Sequence, residues 1–498
     1  MTQNRTHWLW WAIIILSVAL GLLVRFYDLS DAPLDFHPTR QLHSALIARG
    51  MYYQSLKDAP AWQKDMAVSQ WKAEGLIEPQ IMERLTAFTY RIIGSEQLWV
   101  ARVWSIIFWT LGGVFLFLLA REIAGLEGAA IAIVYFFLWP YAAIASRAFQ
   151  PEPLMVAFII IGLWAAIRWA RNPKLMNAVM AGLTCGLAIY IKSVSVFFIA
   201  PALAGLVLSN YTVRKAIKNR QVWLLGVLSV LPYAIYHLYG VYFLKLLGEQ
   251  FSLRFFPNLW TEPAFYLRWI GEMSHVIGLE VFLLALAGSL IFPKKSETGL
   301  FIGLTVGYLL YGFTFSYHVS THDYYHIPLM VQVSLGLALV FKAFISAIEK
   351  NKLRLSRLVL AAILLVFIVL KAWDVRVTLK RVDYRGEIKF WQNLGTELGN
   401  DKKITGLLSD YGYRLSYWGW MNVSPWMQIM DINLRELAGE KIDYQKALEQ
   451  NLIGNDLFVV TLMDEFSRQP ELQDYLHSNY PIIKETTETI IFDLHGKL

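Results

Sequence analysis

The chain of 498 residues is 56% hydrophobic and contains 19 Trp, 25 Tyr and 29 Phe. This mixture excludes an ordinary soluble protein and is typical of a multi-span membrane protein, in which apolar side chains face lipid and aromatic side chains lie at the interfaces. The formal net charge of +7 does not indicate nucleic-acid binding, because the basic residues are spread between apolar segments. The only cysteine, Cys185, lies in an apolar run, which excludes a disulfide framework and a cysteine-based metal site.

Apolar segments long enough to cross about 30 Å of hydrocarbon recur along most of the chain. The sequence predicts about eleven transmembrane helices, with one more or fewer allowed by the short runs near Ile191. They lie at residues 8–24, 99–119, 127–145, 154–170, 176–190, 194–209, 222–241, 276–292, 299–316, 328–348 and 356–373. We therefore predict a mainly α fold: a polytopic bundle over residues 1–373, followed by a small α/β domain over residues 374–498.

The distribution of Lys and Arg between the spans predicts the orientation. If the N-terminus is cytoplasmic, the inner loops contain most of the basic residues: Arg121, Arg168, Arg171, Lys174, Arg214, Lys215, Lys218, Arg220, Lys294, Lys295, Lys350, Lys352, Arg354 and Arg357. Because positive loops stay in the cytoplasm, we predict a multi-pass protein of the inner or plasma membrane whose C-terminal domain is extracytoplasmic. Arg147 and Lys192 are exceptions, since both lie in outer loops.

Three longer segments face outward in this topology. Residues 26–98 have helical periodicity, including 71–80, and predict amphipathic helices along the membrane surface. Residues 242–275 form an aromatic-rich loop. In the last segment, residues 403–408 and 456–462 are predicted as buried strands, 485–493 as a terminal hairpin, and 388–398 and 469–477 as helices.

Ionisable residues collect at the outer ends of the spans. Asp35, His37 and Arg40 follow the first span, and Arg147 and Glu152 follow the third. Charged groups beside a bilayer cost free energy unless they pair or act, so these are candidate functional residues. Each has a structural alternative. Asp35 lies between two prolines as an ordinary loop aspartate does, and Glu152 could complement the dipole of the helix that it begins.

Lys192 likewise has a structural and a functional interpretation. It ends an apolar span on the outer side, where a lysine can extend its ammonium group to the interface without a further role. An ammonium group in this place can also bind a phosphate as a compact point charge.

A His- and Tyr-rich segment precedes the span at 328–348. His318, His322, Asp323 and His326 could hold a divalent metal ion, with His322 and His326 on one helix face. His37 is a further candidate ligand. The structural alternative is an interfacial belt of aromatic and imidazole side chains.

Four of these motifs, in this order, resemble the outer loops of the GT-C glycosyltransferases. This superfamily uses polyprenyl-phosphate sugars and includes the protein mannosyltransferases and the lipid A aminoarabinose transferase. The Asp35 loop resembles the first outer loop, and the segment from Arg147 to Glu152 resembles the second. A lysine follows the hydrophobic span in family members, and Tyr324-Tyr325 with the proline at 328 resembles a late donor-contacting loop. The resemblance covers residues 8–373, and the C-terminal domain matches only in position.

The resemblance implies a glycosyltransferase that moves a sugar from a polyprenyl-phosphate donor to a glycan, lipid or protein hydroxyl on the outer face of the membrane. Asp35 would act as the base, and Glu152 would be a second catalytic carboxylate near the active site. The residues implied to bind the donor phosphate or substrate are Lys192, Arg147, Arg40, His322, Tyr324 and Tyr325. Phe36 departs from the usual family acid, and His37 could take over that role.

Two other functions stay open on the sequence. Multi-span proteins are often transporters or flippases of lipid-linked or polar solutes, but those place ionisable groups near the bilayer centre instead of at outer loop ends. A lipid-binding scaffold without catalysis is the third alternative, because Phe36 could mark a degenerate site. The cofactor is not defined by the sequence beyond the candidate divalent metal ion.

Overall fold

A computed structural model describes residues 7–76, 78–245, 253–291, 294–350 and 354–496. The chain forms two compact units. The first unit comprises the residues up to Leu29, Leu76–Ile81 and Arg102–Val382; the second comprises Ser30–Gly75, Met82–Ala101 and the residues from Asp383 onward. This grouping differs from a simple division at residue 373, because most of the first outer segment packs with the C-terminal residues.

The helices are numbered in chain order. Those up to Lys380 are α1 His7–Phe26, α2 Pro38–Ser55, α3 Ala61–Ala73, α4 Ile81–Ile93, α5 Trp99–Leu138, α6 Pro140–Ala145, α7 Glu152–Arg171, α8 Leu175–Ile191, α9 Val196–Asn210, α10 Val213–Lys218, α11 Arg220–Leu238, α12 Pro263–Ile277, α13 Leu279–Ser289, α14 Lys295–Thr314, α15 Ser316–Val319, α16 Leu329–Lys350 and α17 Arg354–Lys380. The later ones are α18 Arg385–Leu398, α19 Tyr413–Trp418, α20 Ile429–Leu437, α21 Tyr444–Leu452, α22 Met463–Ser467 and α23 Pro470–Asn479. Short 3₁₀ turns lie at Ser193–Ser195, Pro257–Thr261, Asp323–His326 and Ser409–Gly412, and a π turn at Tyr239–Phe243.

Long apolar helices dominate the first unit. Within the described ranges, six are long and apolar enough to cross a membrane: His7–Phe26, Trp99–Leu138, Glu152–Arg171, Ser193–Asn210, Arg220–Phe243 and Leu329–Ile348. The 40 residues of α5 contain a break at Gly125, whose φ of 78° is outside the helical region. At 1.5 Å per residue this length is about twice a bilayer core, so the break agrees with the two spans predicted there.

The predicted span at 276–292 has a different form. Helices α12 and α13 meet at Gly278 with a bend of 85°, and together they are either one broken span or a re-entrant loop. Gly278 has φ 77°, a conformation that glycine adopts without the steric cost of a Cβ atom. Because α12 begins at Pro263, the described part of the aromatic-rich segment 242–275 is partly helical rather than a simple loop; residues 246–252 lie outside the described residues.

Close helix packing in the first unit relies on small residues. A Cβ atom at Gly162 of α7 would lie 2.8 Å from the sulfur of Cys185 on α8. Absence of a side chain lets the two helix backbones approach, as is common among membrane helices. Cys185 is fully buried here, in agreement with a small apolar packing residue.

The second unit contains a five-stranded sheet in the order β2-β1-β3-β5-β4. The strands are β1 Ile404–Leu407, β2 Val423–Pro425, β3 Leu457–Val460, β4 Ile482–Glu485 and β5 Ile490–Asp493. β1 is parallel to β2 and β3, whereas β5 is antiparallel to β3 and β4. The buried strands and the terminal hairpin predicted from the sequence are confirmed. β2 was not predicted, because it has three residues, includes a proline and is partly exposed.

The first outer segment forms three helices in this unit, α2, α3 and α4. The prediction of helix over 71–80 is wrong beyond Ala73, where α3 ends and an extended Glu74 follows. Arg49 of α2 is buried, pairs with Glu96 at 3.0 Å and donates to the Tyr417 carbonyl at 2.6 Å. Its guanidinium group also lies over the rings of Tyr417 and Trp420, so one cation joins α2 to the C-terminal part of the unit.

Candidate functional site

The first candidate site begins with an ion pair between Glu152 and Lys192. α7 and α8 are joined by the short connection 172–174, so the start of α7 and the end of α8 lie at the same end of an antiparallel hairpin. Glu152 opens α7, and Lys192 follows the last residue of α8. The ammonium group of Lys192 contacts Oε1 of Glu152 directly, although the two residues are 40 positions apart.

Glu78 and Tyr324 complete this group. Oε1 of Glu78 lies 3.2 Å from the Lys192 ammonium nitrogen, and the ring centroid of Tyr324 lies 5.4 Å from it. We call Glu78, Glu152, Lys192 and Tyr324 the Lys192 cluster. The exposed fractions of the Lys192 and Glu152 side chains are 9% and 2%. Lys192 is therefore a buried cation held by two carboxylates. It does not extend its ammonium group to the membrane interface, which was the structural alternative.

One acceptor oxygen of the cluster has no hydrogen-bond partner among the described residues. Oε2 of Glu152 is buried and forms no hydrogen bond with the described residues. Buried carboxylate oxygens are usually hydrogen-bonded, so this oxygen is available to accept a bond from a bound water or ligand. The neighbouring Gln150, 1% exposed, has the same property at both polar atoms of its side chain. The loop that begins α7 thus presents polar atoms not used by the described part of the protein.

The His- and Tyr-rich segment folds into α15 and a 3₁₀ turn. The rings of Tyr325 and Tyr311 stack with centroids 5.7 Å apart, and His318 and His322 stack at 5.5 Å. Burial, aided by the neighbouring His322 and by Arg254, lowers the pKa of His318 to about 3. The surroundings of His318 within the protein therefore favour the neutral imidazole.

His326 is committed to a chain of hydrogen bonds. The Trp269 indole donates to the Tyr308 hydroxyl at 2.7 Å, and that hydroxyl lies 3.0 Å from Nδ1 of His326. Nε2 of His326 lies 2.9 Å from the Val319 carbonyl oxygen. Because a carbonyl can only accept, Nε2 bears the proton and Nδ1 accepts from Tyr308. Burial lowers the pKa of His326 to about 4, which keeps the ring neutral.

This arrangement corrects the predicted metal-binding face. His322 precedes the 3₁₀ turn and His326 ends it, so the two do not share an α-helical face. Oδ2 of Asp323 lies 3.7 Å from Nε2 of His275. Across the described ranges, no group of three or more His, Cys, Asp or Glu side chains is placed to hold a metal ion. His37 belongs to the second unit.

Arg254 is a candidate residue that sequence reasoning missed. Its positive charge acts electrostatically on Tyr233, Tyr311 and His318, so it lies within electrostatic range of the His- and Tyr-rich segment. The sequence feature that could have indicated Arg254 is its position as a basic residue among the aromatic residues of a predicted outer loop. Glu78 was also missed as a site residue, because only the fold brings it to Lys192.

Arg147 binds backbone carbonyl groups at the end of α1. It is 2% exposed, and its two terminal nitrogens donate to the carbonyl oxygens of Tyr27 and Asp28 at 2.6 and 3.0 Å. These carbonyls lie just after α1, where helix termini leave acceptors unsatisfied. Arg147 thus holds the end of the first span, and its predicted contact with donor phosphate stays a prediction.

Asp35 lies in the second unit, in a loop that a buried amide holds in place. The side-chain nitrogen of Gln41 donates to the carbonyl oxygens of Pro33 and Phe36 at 3.1 and 2.6 Å. His37, with φ 42°, is a non-glycine residue in the left-handed region immediately before α2. Such backbone conformations cost free energy and are concentrated at functional sites. Asp35 is half-buried within this fixed loop.

Arg40 lies in the first turn of α2, half-buried. Burial and the adjacent Glu74 raise the pKa of the Tyr413 phenol, and the positive charge of Arg40 opposes this shift. Arg40 is therefore close to Tyr413 in the second unit. Its predicted contact with donor phosphate stays a prediction.

Comparison with known proteins gives a family match and several structural matches. Residues 78–239 match the family model of dolichyl-phosphate-mannose-protein mannosyltransferase. No curated protein matches the sequence significantly.

Solved structures match nearly the whole chain. The crystal structure of ArnT from Cupriavidus metallidurans bound to undecaprenyl phosphate has a TM-score of 0.62 and 14% identity, covering 99% of this chain and 98% of that one. The archaeal oligosaccharyltransferase AglB from Archaeoglobus fulgidus, in complex with an inhibitory peptide and a dolichol-phosphate, has a TM-score of 0.57 and 11% identity, covering 98% of this chain and 74% of that one. The resemblance seen in the sequence is thereby confirmed: the chain has the fold of the GT-C glycosyltransferases, and residues 78–239 match the mannosyltransferase family within that superfamily.

Proposed function

We propose that the protein transfers a sugar from a polyprenyl-phosphate donor to a hydroxyl group of a glycan, lipid or protein acceptor. The observation that carries this proposal is the Lys192 cluster, a buried ionic group formed at the ends of apolar helices. Buried charges at such positions are costly and are typically retained for function. The undecaprenyl phosphate bound to ArnT and the dolichol-phosphate bound to AglB support the same class of lipid donor.

We propose that the donor phosphate binds between Arg254 and the Lys192 cluster. As the bond from the anomeric carbon to the phosphate oxygen breaks, negative charge grows on the leaving polyprenyl phosphate. Fixed cations placed where this charge develops lower the barrier more than they stabilise the ground state. The hydroxyls of Tyr324 and Tyr325 are suited to donate hydrogen bonds to the same oxygens. The carboxylates of Glu78 and Glu152 hold the Lys192 ammonium group in position.

Asp35 is proposed as the general base. Its carboxylate takes the proton of the acceptor hydroxyl while that oxygen attacks the anomeric carbon, and polyprenyl phosphate leaves from the opposite face. One C–O bond forms and one breaks, so a single displacement inverts the anomeric configuration. A carboxylate in a rigid loop meets the requirement of a positioned base.

The outer face of the cell membrane is the proposed location, because the basic residues concentrate in the opposite loops. A reporter enzyme fused after the last residue, Leu498, is expected to be active only outside the cytoplasm. A reporter fused to a chain truncated after Lys218 is expected to be active only inside. The measurement is alkaline phosphatase activity, with a cytoplasmically active reporter at the same points as control. The reverse pattern at both points would reject this topology.

Purified protein incubated with a panel of labelled polyprenyl-phosphate sugars tests the function itself. We expect one donor to release polyprenyl phosphate, in the presence of acceptor or slowly to water. Arg254→Ala should raise the donor KM about tenfold or more, since a charge-assisted contact with phosphate is lost. Arg268→Ala, which removes a cation from α12, is the matched control. Lack of release from every donor by the intact protein would reject the proposed function.

A further inference from the structure

A second polar site lies in the C-terminal part of the second unit. In the sheet order, the chain continues from β1 to β2 on one side, whereas from β3 it continues to β4 and β5 on the other side. The carboxyl ends of β1 and β3 therefore mark a topological switch point, where open α/β sheets bind ligands. A cleft of about 800 Å³ lies there, lined by Ser409 just after β1 and Thr461 just after β3.

The chemistry of the cleft identifies the class of ligand. Carboxylates outnumber guanidinium groups in its lining. Glu387 and Asp464 are two of the carboxylates, and Arg468 is one of the guanidinium groups. This balance disfavours a phosphate or another anion. The cleft offers hydrogen-bond donors and acceptors side by side, because it contains hydroxyls, carboxylates and guanidinium groups. A sugar presents neighbouring hydroxyls that each donate and accept, so a sugar matches this lining. The half-buried ring of Phe390 adds an apolar face for the C–H groups of a sugar ring.

Strained backbone borders the cleft. Asp410 and Tyr411, which directly follow Ser409, have φ of 50° and 56°, and Gly412 follows with φ 82°. Consecutive non-glycine residues in this region cost free energy and occur at ligand-binding sites. The strain is supported by specific contacts, because the Tyr411 hydroxyl donates to Asp431 at 3.1 Å and Asp410 pairs with Arg414. The carboxyl end of β1 is thus held rigidly.

The cleft is connected to the Asp35 loop within the same unit. The backbone nitrogen of Tyr384 donates to both carboxylate oxygens of Asp31, at 3.1 and 3.2 Å. Burial raises the pKa of the Tyr384 phenol. The negative charges of Asp35 and of Glu387 in the cleft raise this pKa further. Tyr384 therefore lies within electrostatic range of both. Asp383, its neighbour in the chain, lines the cleft.

A second connection runs through the start of α2. The hydroxyl of Thr39 donates to Oδ1 of Asp410 at 3.2 Å. Thr39 is four residues from Asp35, and Asp410 belongs to the strained loop after β1. Two separate contacts therefore fix the cleft and the proposed base in one compact unit.

We propose that this cleft binds the acceptor and that the acceptor is a carbohydrate, whose sugar rings occupy the cleft while its reacting hydroxyl is directed to Asp35. This proposal rests on the proposed glycosyl transfer for the reaction, but sugar binding by the cleft can be measured without it. A volume of about 800 Å³ accommodates a short oligosaccharide rather than a single sugar.

Calorimetric titration of the full-length protein in detergent tests the proposal. The probes are mannotriose, maltotriose and chitotriose, with an unglycosylated Ser/Thr-rich decapeptide as the competing class. We expect at least one trisaccharide to bind. Arg468→Ala and Asp464→Asn should weaken this binding about tenfold each, because each removes a charged hydrogen-bonding group from an exposed position. Lys402→Ala, at the opposite end of β1, is the matched control and should bind as the unaltered protein does.

Each outcome decides the proposal. Failure of all three trisaccharides to bind at millimolar concentration, binding that survives both cleft variants, or binding of the decapeptide alone would overturn it. If trisaccharide binding depends on the cleft but no donor is ever cleaved, the glycosyltransferase function fails while the sugar site stands.

Discussion

Asp35→Asn is expected to reduce sugar transfer by about 10²–10⁴-fold while the protein still folds and binds donor. Asparagine preserves the size of the side chain and one acceptor oxygen, but it cannot take a proton from the acceptor hydroxyl. The loss should therefore appear in kcat, with little change in the KM for donor. The measurement is turnover at saturating polyprenyl-phosphate sugar, together with the thermal unfolding temperature.

Asp31→Asn is the matched control, because Asp31 lies in the same loop region but accepts hydrogen bonds from the backbone nitrogen of Tyr384. Its replacement should lower stability more than it lowers kcat at permissive temperature. Turnover near that of the unaltered protein in Asp35→Asn would remove Asp35 from the mechanism and make Glu152 the next candidate. Restoration of Asp35→Asn by an added divalent cation would instead indicate an electrostatic role for the carboxylate.

Lys192→Ala should damage both stability and activity. Removal of the ammonium group leaves the carboxylates of Glu152 and Glu78 facing each other in a site where Glu152 is 2% exposed. Breaking a buried ion pair in this way typically costs about 3–5 kcal/mol, because a charge stays buried without compensation. Stabilisation of the leaving phosphate would also be lost. Thermal unfolding and turnover measure the two effects separately.

The double variant Lys192→Ala/Glu152→Gln distinguishes the two effects. Neutralising Glu152 removes most of the repulsion, so the double variant should regain part of the stability lost in Lys192→Ala. Turnover should not return, since the cation is still absent. Recovery of turnover together with stability would show that Lys192 only balances the charge of Glu152. Lys192→Arg, which keeps a cation, should retain most of the stability.

The sequence predicted most of the first unit correctly because its signal is local. A run of apolar residues such as that of α7 needs no partner to be identified, since the length of a bilayer crossing fixes what it can form. β1 and β3 were recognised for the same reason: four consecutive buried residues bounded by polar ones indicate a core strand. The order of short polar motifs between these spans was sufficient for the GT-C resemblance.

The partners of the charged residues were decided only by tertiary structure. Lys192 and Arg147 broke the charge rule alike, yet one lies between two carboxylates and the other donates to the carbonyls that end α1. A long charged side chain can pair with any polar group that the fold brings within several ångströms. Sequence spacing does not specify which group that is. The cleft after β1 and β3 arises in the same way, because residues about fifty positions apart meet only when parallel strands pair. The sequence by itself determined most of the helices, the strands other than β2 and the superfamily fold. Tertiary structure alone determined which polar groups meet, because pairing depends on three-dimensional distance.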